Sequence, residues 1–550
     1  MFKKIILIAF ATLLSAAAFA QDARLERSIL YLTGASCLED LSEDELERLY
    51  SFESRPLRLN LAPLSRLVSS GLLTRYQAAS LRDYISRHGD VLSVNELALV
   101  DGFSEQSAAA LEPFVSFESA SSRPGGNSLE KGRVKTETLA RGSVKSSEGE
   151  TLASAGLKVR TGNEDRWELS LAGKKETLSA SAALYGRGHL GKVVLGDYNA
   201  RFGQGLLMWS GFSLSGFSSA SAFARHPSGL SPAWTFTPSS ARRGAAVDFT
   251  FSRVCVSAFA DVSGLFGANA TLYARSGQAG VTFLSPGEAS VDTRLSLGKI
   301  DLFGEAAVAG GVVAALAGLT FNPAYGVRIS ALVRNYPSDF ESACAGAVRS
   351  STKVSDERGA ALGLDWGSLS LTADAAFHPS KGSSQHKAVL KFSPQIGDFL
   401  LFSFRAVCRY RPADDSAWRS ELRADATLTI AQKFSLKGCA DLCRCNSFSW
   451  ASYAECGFKT GSKPELSVYL RGTAFVVDNW DDRIYLYERD LQGSFNVPAL
   501  YGRGCTSFLL TTLKWRSLKL GLRASFTAYP GMREKKPGKA ELKIQCQFTL

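Results

Sequence analysis

The stretch Lys539-Ala540-Glu541-Leu542-Lys543-Ile544-Gln545-Cys546-Gln547-Phe548-Thr549-Leu550 decides the fold. Leu542, Ile544, Cys546, Phe548 and Leu550 fall on one parity, and Glu541, Lys543, Gln545, Gln547 and Thr549 on the other. A period of two marks a strand with one apolar face and one wet face. The pattern recurs upstream. Leu518, Leu520, Leu522, Ala524 and Phe526 interleave with Lys519, Gly521, Arg523, Ser525 and Thr527, and Leu422, Ala424, Ala426, Leu428 and Ile430 with Glu421, Arg423, Asp425, Thr427 and Thr429. A single alternating strand would also suit a soluble sandwich. Repetition at about ten residues, the length of a tilted membrane-spanning strand, with a second face that is charged, suits a bilayer outside and a watery lumen inside. A transmembrane β-barrel closed by this last strand is expected.

The other end of the chain supplies the address. Lys3 and Lys4 precede an apolar run from Ile5 to Leu14, and Ala18-Phe19-Ala20 is a small-x-small cleavage site. Residues 1–20 therefore read as a secretory signal peptide, too short for a membrane helix. No later stretch approaches the ~18 apolar residues of a transmembrane helix. The 49 glycines, 3 methionines and mean hydropathy near zero agree with a barrel, whose inward and outward residues cancel.

Between residues 21 and 118 the period becomes helical. Ser42 with Glu45 forms a capping box ahead of Leu46 and Leu49. Two similar units then follow over residues 55–115: Leu59-Asn60-Leu61-Ala62 through Gly71-Leu72-Leu73 to Leu81 and Ile85, and Leu92, Leu97 and Val100 through Gly102-Phe103-Ser104 to Leu111. This region resembles the tandem helix-hairpin-helix domain of bacterial competence-type DNA receptors and DNA repair enzymes. The resemblance implies two Gly-hydrophobic-Gly turns whose backbone N–H groups face phosphate. Here the second glycine of each turn is missing. On the family's pattern the nucleic-acid contacts would be Arg66, Gly71, Arg75, Arg82, Arg87 and Gly102.

Charge argues against that use. Residues 22–118 hold nine arginines, no lysine and sixteen acids, and duplex binding rests mainly on phosphate neutralisation. A plug or protein-docking module is the plainer reading.

Ser121-Ser122-Arg123-Pro124-Gly125-Gly126-Asn127-Ser128 breaks both periods, so residues 119–134 read as a linker. Residues 135–550 remain for the barrel, room for about 16–20 strands at roughly 20–25 residues each. Distinctive words lie in this part: Gly196-Asp197-Tyr198-Asn199-Ala200-Arg201-Phe202-Gly203-Gln204-Gly205, Arg334-Asn335-Tyr336, Asp356-Glu357-Arg358-Gly359 and Arg483-Ile484-Tyr485-Leu486-Tyr487-Glu488. Together with the helical region they resemble a family of bacterial outer-membrane proteins that join a helix-hairpin-helix domain to a barrel. The resemblance implies architecture and location but no settled activity.

Asp197, Arg201 and Gln204 are a candidate polar cluster facing the lumen, weighed against a salt-bridge ladder between strands. Trp209, Trp366, Trp450, Trp480 and Tyr529 suit interfacial girdles. The segment after residue 118 carries a surplus of about sixteen positive charges, which either draws anions into the lumen or meets lipopolysaccharide headgroups at the rims. Ten cysteines occur without any C-x-x-C spacing, so no metal site is expected. Cys439, Cys443 and Cys445 share a lumen parity. Asp374 and His378 also share one, but no nucleophile is marked and no G-x-S-x-G elbow, P-loop or dinucleotide fingerprint occurs.

The expected protein is α+β multidomain, a small all-α helix-hairpin-helix domain followed by a large antiparallel transmembrane β-barrel in the outer membrane, its helical domain in the periplasm. It is expected to be non-enzymatic and without cofactor, and to serve transport or docking across that membrane. Uptake of DNA or another anionic polymer is the second expectation and an outer-membrane enzyme the third. Expected partners are outer-membrane lipid and lipopolysaccharide and a periplasmic protein, with nucleic acid disfavoured by charge.

Overall fold

The computed structural model describes residues 17–119 and 134–550, apart from positions 36, 42, 148, 164–165, 187, 212–216, 218, 237–240, 252, 275, 325, 398, 413–416, 431–432, 462 and 531–536. The apolar run Ile5–Leu14, Ser42 of the expected capping box and most of the expected linker lie outside the described residues. Ala17–Ala20 open the first helix, and Ser119 still belongs to the helical region, its hydroxyl donating to Asp90 Oδ2 at 2.5 Å.

From Lys135 onward the chain is a closed antiparallel meander. Among the described residues 24 long strands make the wall, from Lys135–Ser147 to Lys539–Thr549, and these two pair with each other, Glu137 opposite Thr549 and Ser147 opposite Lys539. Two short strands stand apart from that count: Gly229–Pro232 pairs only with Leu190–Arg201, and Gln395–Ile396 continues a hairpin. The strand number exceeds the expected 16–20 because the turns are tighter than assumed. Ala309 and Val312, for example, are joined by Gly310 and Gly311 at φ of 59° and 78°, both in the left-handed region that a two-residue hairpin of matching twist requires.

The alternation assigns the faces. Ile544 is 53% exposed while its neighbour Gln545 is 4% exposed. Leu520, Leu522 and Phe526 likewise stand outward, and Arg523 lies buried in the lumen. Exposed leucine, valine, isoleucine and phenylalanine recur on the outward parity from strand to strand, giving the apolar belt a bilayer requires. Among the described residues no helix is long and apolar enough to cross a membrane.

The two ends of the barrel differ. The end that carries Lys135 and Thr549 is closed by short turns such as 298–299 and 367–368, whereas the other end carries the long connections 202–241, 337–356 and 478–501. Helices α1 (Ala17–Thr33), α2 (Glu43–Ser54), α3 (Leu64–Ser69), α4 (Arg75–His88), α5 (Val94–Leu97) and α6 (Glu105–Leu111) form the N-terminal body. Its core is Leu46, Leu49, Leu59, Leu67, Leu81, Leu97, Leu111 and Phe114. The buried Asn60 amide cross-links the two units, donating to Val91 O and accepting from Val91 N, both at 2.9 Å. An isolated buried amide would be costly, and this reciprocal pair satisfies it.

Candidate functional site in the lumen

Each helical unit turns on a glycine: Gly71 at φ 69° between α3 and α4, and Gly102 at φ 84° between α5 and α6. Thr74 and Ser104 then cap α4 and α6 with reciprocal boxes. These turns face protein. A Cβ on Gly71 would stand 2.8 Å from Arg48 Nη1, and one on Gly102 2.7 Å from the Tyr76 ring. Gln77 Nε2 donates to Gly102 O at 2.9 Å.

The four arginines of the nucleic-acid expectation take different places. Arg66 points into the barrel wall, donating to Tyr185 Oη at 3.1 Å and lying 3.9 Å from Glu168 Oε2. Arg82 donates to Ala62 O within the helical body, and Arg87 is exposed beside Asp83, at 2.9 Å. Arg75 begins α4, and its side chain lies outside the description.

Arg66 is one of several ties between the helical body and lumen-facing side chains. Arg55 Nε lies 3.2 Å from Glu137 Oε2 on the first strand, where Arg160 Nη2 of the second strand meets the same oxygen at 3.0 Å. Glu47 of α2 pairs with Lys158, whose side chain is wholly inaccessible to solvent. Glu39 accepts from Arg423 on the eighteenth strand (Trp418–Ile430) at 2.6 Å and from Tyr487 N at 2.9 Å. Tyr31 Oη accepts from Arg328 at 3.3 Å on the thirteenth strand, Val327–Tyr336. In a ring of 24 the first and thirteenth strands are opposite each other, so the helical body bridges the lumen.

Burial alone would raise the Glu39 carboxyl. The Arg423 guanidinium and the Tyr487 N–H outweigh that penalty and hold it at about 2.

From the opposite end the long connections fold inward. In segment 478–501, Glu488 accepts from Arg523, Asp490 lies 2.6 Å from Lys543 Nζ, and Arg489 Nε donates to Glu455 at 2.8 Å. Tyr487 and Phe495 of this connection pack against the helical core. Segment 337–356 is pinned by a buried knot in which Arg334 donates to Glu357 at 2.5 Å and to Asp374 at 2.7 Å, while Glu357 accepts from Ser350 N and Ser351 N. Ser219 of segment 202–241 donates to Gly34 O, which follows α1, at 2.6 Å.

The expected cluster of Asp197, Arg201 and Gln204 is not brought together. Asp197 stands on the outward parity, paired with Arg243 at 2.8 Å and accepting from Ala180 N at 2.9 Å. Arg201 donates to Ser210 O at 2.8 Å and lies over Trp209. Gln204 accepts from Arg225 N at 2.9 Å, and its backbone N–H donates to Glu305 at 2.6 Å. The glycines flanking Gln204 are left-handed, Gly203 at 56° and Gly205 at 88°. Their turn swings Gln204 off the strand axis, so strand parity stops predicting its direction.

Of the aromatic residues expected at the interface, Trp366 and Trp480 are exposed and Trp450 is half-buried on the outward parity. Trp209 lies inside between Arg201 and Arg225, and Tyr529 packs on the buried Phe475. Cys439 and Cys443 face the lumen as expected, and no disulfide is formed among the described residues. Asp374 and His378 do not meet: Asp374 binds Arg334, and His378 Nδ1 lies 2.7 Å from Asp356 O.

The wall partners Lys158, Glu137 and Arg423 and the helical-body residues Glu39, Glu47 and Arg55 were missed by sequence reasoning. One signal pointed at them, the opposite net charge of the helical region and the segment that follows it.

No protein-family model and no curated protein matches the chain. Similar solved structures are large barrels. The chain is similar to OccK10 (OpdN) of Pseudomonas aeruginosa, with 11% identity and a TM-score of 0.32 over 76% of this chain and 99% of that one. It is similar also to the P pilus usher PapC translocation pore, with 8% identity and a TM-score of 0.35 over 76% and 99%. The outer membrane protein OprD of Pseudomonas aeruginosa gives 10% identity and a TM-score of 0.31 over 76% and 94%.

Proposed function

We propose that this chain is a non-enzymatic outer-membrane transport protein whose own N-terminal helical body plugs its barrel. The observation that carries the reading is the set of sheltered ties from that body to separate parts of the wall: the ion pairs Arg55 to Glu137, Glu47 to Lys158 and Glu39 to Arg423, with Tyr31 reaching Arg328 on the side opposite Glu137. An enzyme would need reacting groups assembled around a substrate. The lumen groups Arg334, Asp374, Glu357, Glu455, Arg471 and Arg523 are instead joined in structural pairs.

The signal peptide expected from the sequence and the apolar outer belt support the location. Short turns at the end bearing both barrel termini support placing that end, and the helical body, toward the periplasm, since outer-membrane barrels keep their long loops outside. Lipid and lipopolysaccharide headgroups are then the partners of the belt and rims. Transport requires the plug to shift or unfold locally.

The test is single-channel recording of the full chain in planar bilayers. The intact protein should rest closed and open in brief events, and a Glu47→Gln/Arg55→Gln variant should open far more often. Equal, continuous conductance from both proteins would refute the plug.

A further inference from the structure

On one stretch of the lumen wall two guanidiniums stand with no carboxylate in contact. Arg294 on the strand Glu288–Leu297 and Arg328 on Val327–Tyr336 both face inward near the end with the short turns. Segment 202–241 brings His226 to them, its Nδ1 3.0 Å from Arg294 Nη1 and its ring within electrostatic reach of Arg328. Arg328 donates to Tyr31 Oη of the plug at 3.3 Å and toward Asn322 Oδ1 at 3.5 Å. Among the described residues neither guanidinium has a carboxylate within 4.0 Å.

By contrast, Arg334, Arg423, Arg471 and Arg523 elsewhere in the lumen each sit against acids. Of the acids nearby, Asp301 acts on Arg294 from beyond contact distance and accepts from Ser296 Oγ at 2.6 Å, and Asp292 lies two residues away on the same face. Between the two arginines the wall is low and hydroxylated, with Thr320 and Ser330 joined at 3.1 Å. The His226 ring is reached by solvent yet enclosed by the barrel, and that enclosure with Arg294 and Arg328 pulls its pKa down to about 3. The histidine is therefore neutral, and its Nδ1 accepts from Arg294 while Nε2 carries the ring proton. Next to it, Arg225 stacks 4.6 Å from the Trp209 centroid, with Arg201 at 5.5 Å, adding positive potential to the same side of the lumen.

We infer that Arg294, Arg328 and His226 form a lumen site for an oxyanion, a carboxylate or phosphate group borne by the transported solute. Two guanidiniums with fork geometry and a neutral imidazole N–H offer donors with no carboxylate in contact, and the enclosure strengthens each bond relative to water. Tyr31 lies on the plug, so an anion held by Arg328 competes with a plug contact. Solute arrival then loosens one tie of the closure. This inference rests on the transport reading and names its substrate class.

The test is calorimetric titration of the full chain in detergent with inorganic phosphate, at constant ionic strength. Saturable binding is expected, weakened at least tenfold by Arg294→Gln and by Arg328→Gln, with Arg294→Lys intermediate because the charge stays and the fork is lost. Arg358→Gln, on the exposed outer wall, is expected to leave binding unchanged, since that position reports capture of lipid-type phosphate outside the lumen. Heat-modifiable gel mobility confirms that each variant is a folded barrel, and Arg294→Lys keeps the test open if a glutamine variant misfolds. Absence of saturable binding, equal binding in all variants, or loss only with Arg358→Gln overturns the inference. Binding is read without conduction, so a plugged transporter lacking this site and a site without transport give different results.

Discussion

Replacing Glu47 by glutamine tests the closure at its most buried tie. The substitution leaves the Lys158 ammonium inaccessible to solvent and without its carboxylate. Removing one member of a buried ion pair costs about 3–5 kcal/mol. Part of that is offset, because Lys158 Nζ lies 4.2 Å from the Phe236 ring centroid, 5.2 Å from that of Trp234 and 3.4 Å from Trp234 O. Such contacts with a desolvated cation are worth about 1–2 kcal/mol, and a neutral glutamine oxygen restores a weaker hydrogen bond. The net loss is about 2–3 kcal/mol, which raises the undocked population roughly 30- to 150-fold at 1.4 kcal/mol per decade. Hydrogen exchange of the α2 amides in the full chain, folded in detergent, reads that population directly, with barrel strands as the internal reference. The amides of Glu43–Ser54 should exchange faster by that factor while those of Lys539–Thr549 stay unchanged. Exchange within threefold of the parent protein in α2 would refute the docking energetics.

Three further outcomes are expected. The Glu39 carboxyl is held at about 2 against an ordinary 4.5, so its contribution to docking is fully present above pH 4.5 and fades as the pH falls toward 2. It amounts to about 3 kcal/mol at most, and protease protection of the helical body should drop between pH 5 and 3 in the parent but less in Glu39→Gln. Arg334→Met leaves Glu357 and Asp374 buried without their cation, costs about 3–5 kcal/mol and frees segment 337–356, which trypsin should then cut at Arg349 or Lys353. Ile544→Arg on the outward face should destabilise the folded barrel in lipid by about 2–4 kcal/mol, whereas Lys543→Gln, one residue away and facing the lumen, should not carry that lipid penalty, as urea titration in vesicles would show.

The barrel was legible because strand alternation is local: Leu542, Ile544 and Phe548 declare their face without reference to any distant residue. Strand number was less legible, since turn length varies and Gly310-Gly311 spends two residues where the average loop was assumed to spend more. The two glycine turns of the helical region were also readable, as Gly71 and Gly102 both adopt the left-handed conformation. What fills the space beside them was not. Gly102 meets Tyr76, and Arg66 meets Tyr185 more than a hundred positions away.

Parity failed for Gln204 because Gly203 and Gly205 break the strand geometry on which it depends. It failed for Asp197 in a different way. Charge on the outward face is unusual, and Asp197 is tolerated there beside Arg243 near the rim. The closure itself was half legible: an acidic helical region preceding a basic barrel is an electrostatic match, but nothing local in Glu47 or Lys158 names the other.

The most direct test places a benzophenone amino acid at Arg66, on the plug, and irradiates the full chain in outer-membrane preparations. Peptide mass spectrometry should find the cross-link on the barrel wall around Glu168 and Tyr185, because Arg66 touches both. Cross-links confined to the helical body or to other periplasmic proteins would contradict a helical domain seated in its own barrel.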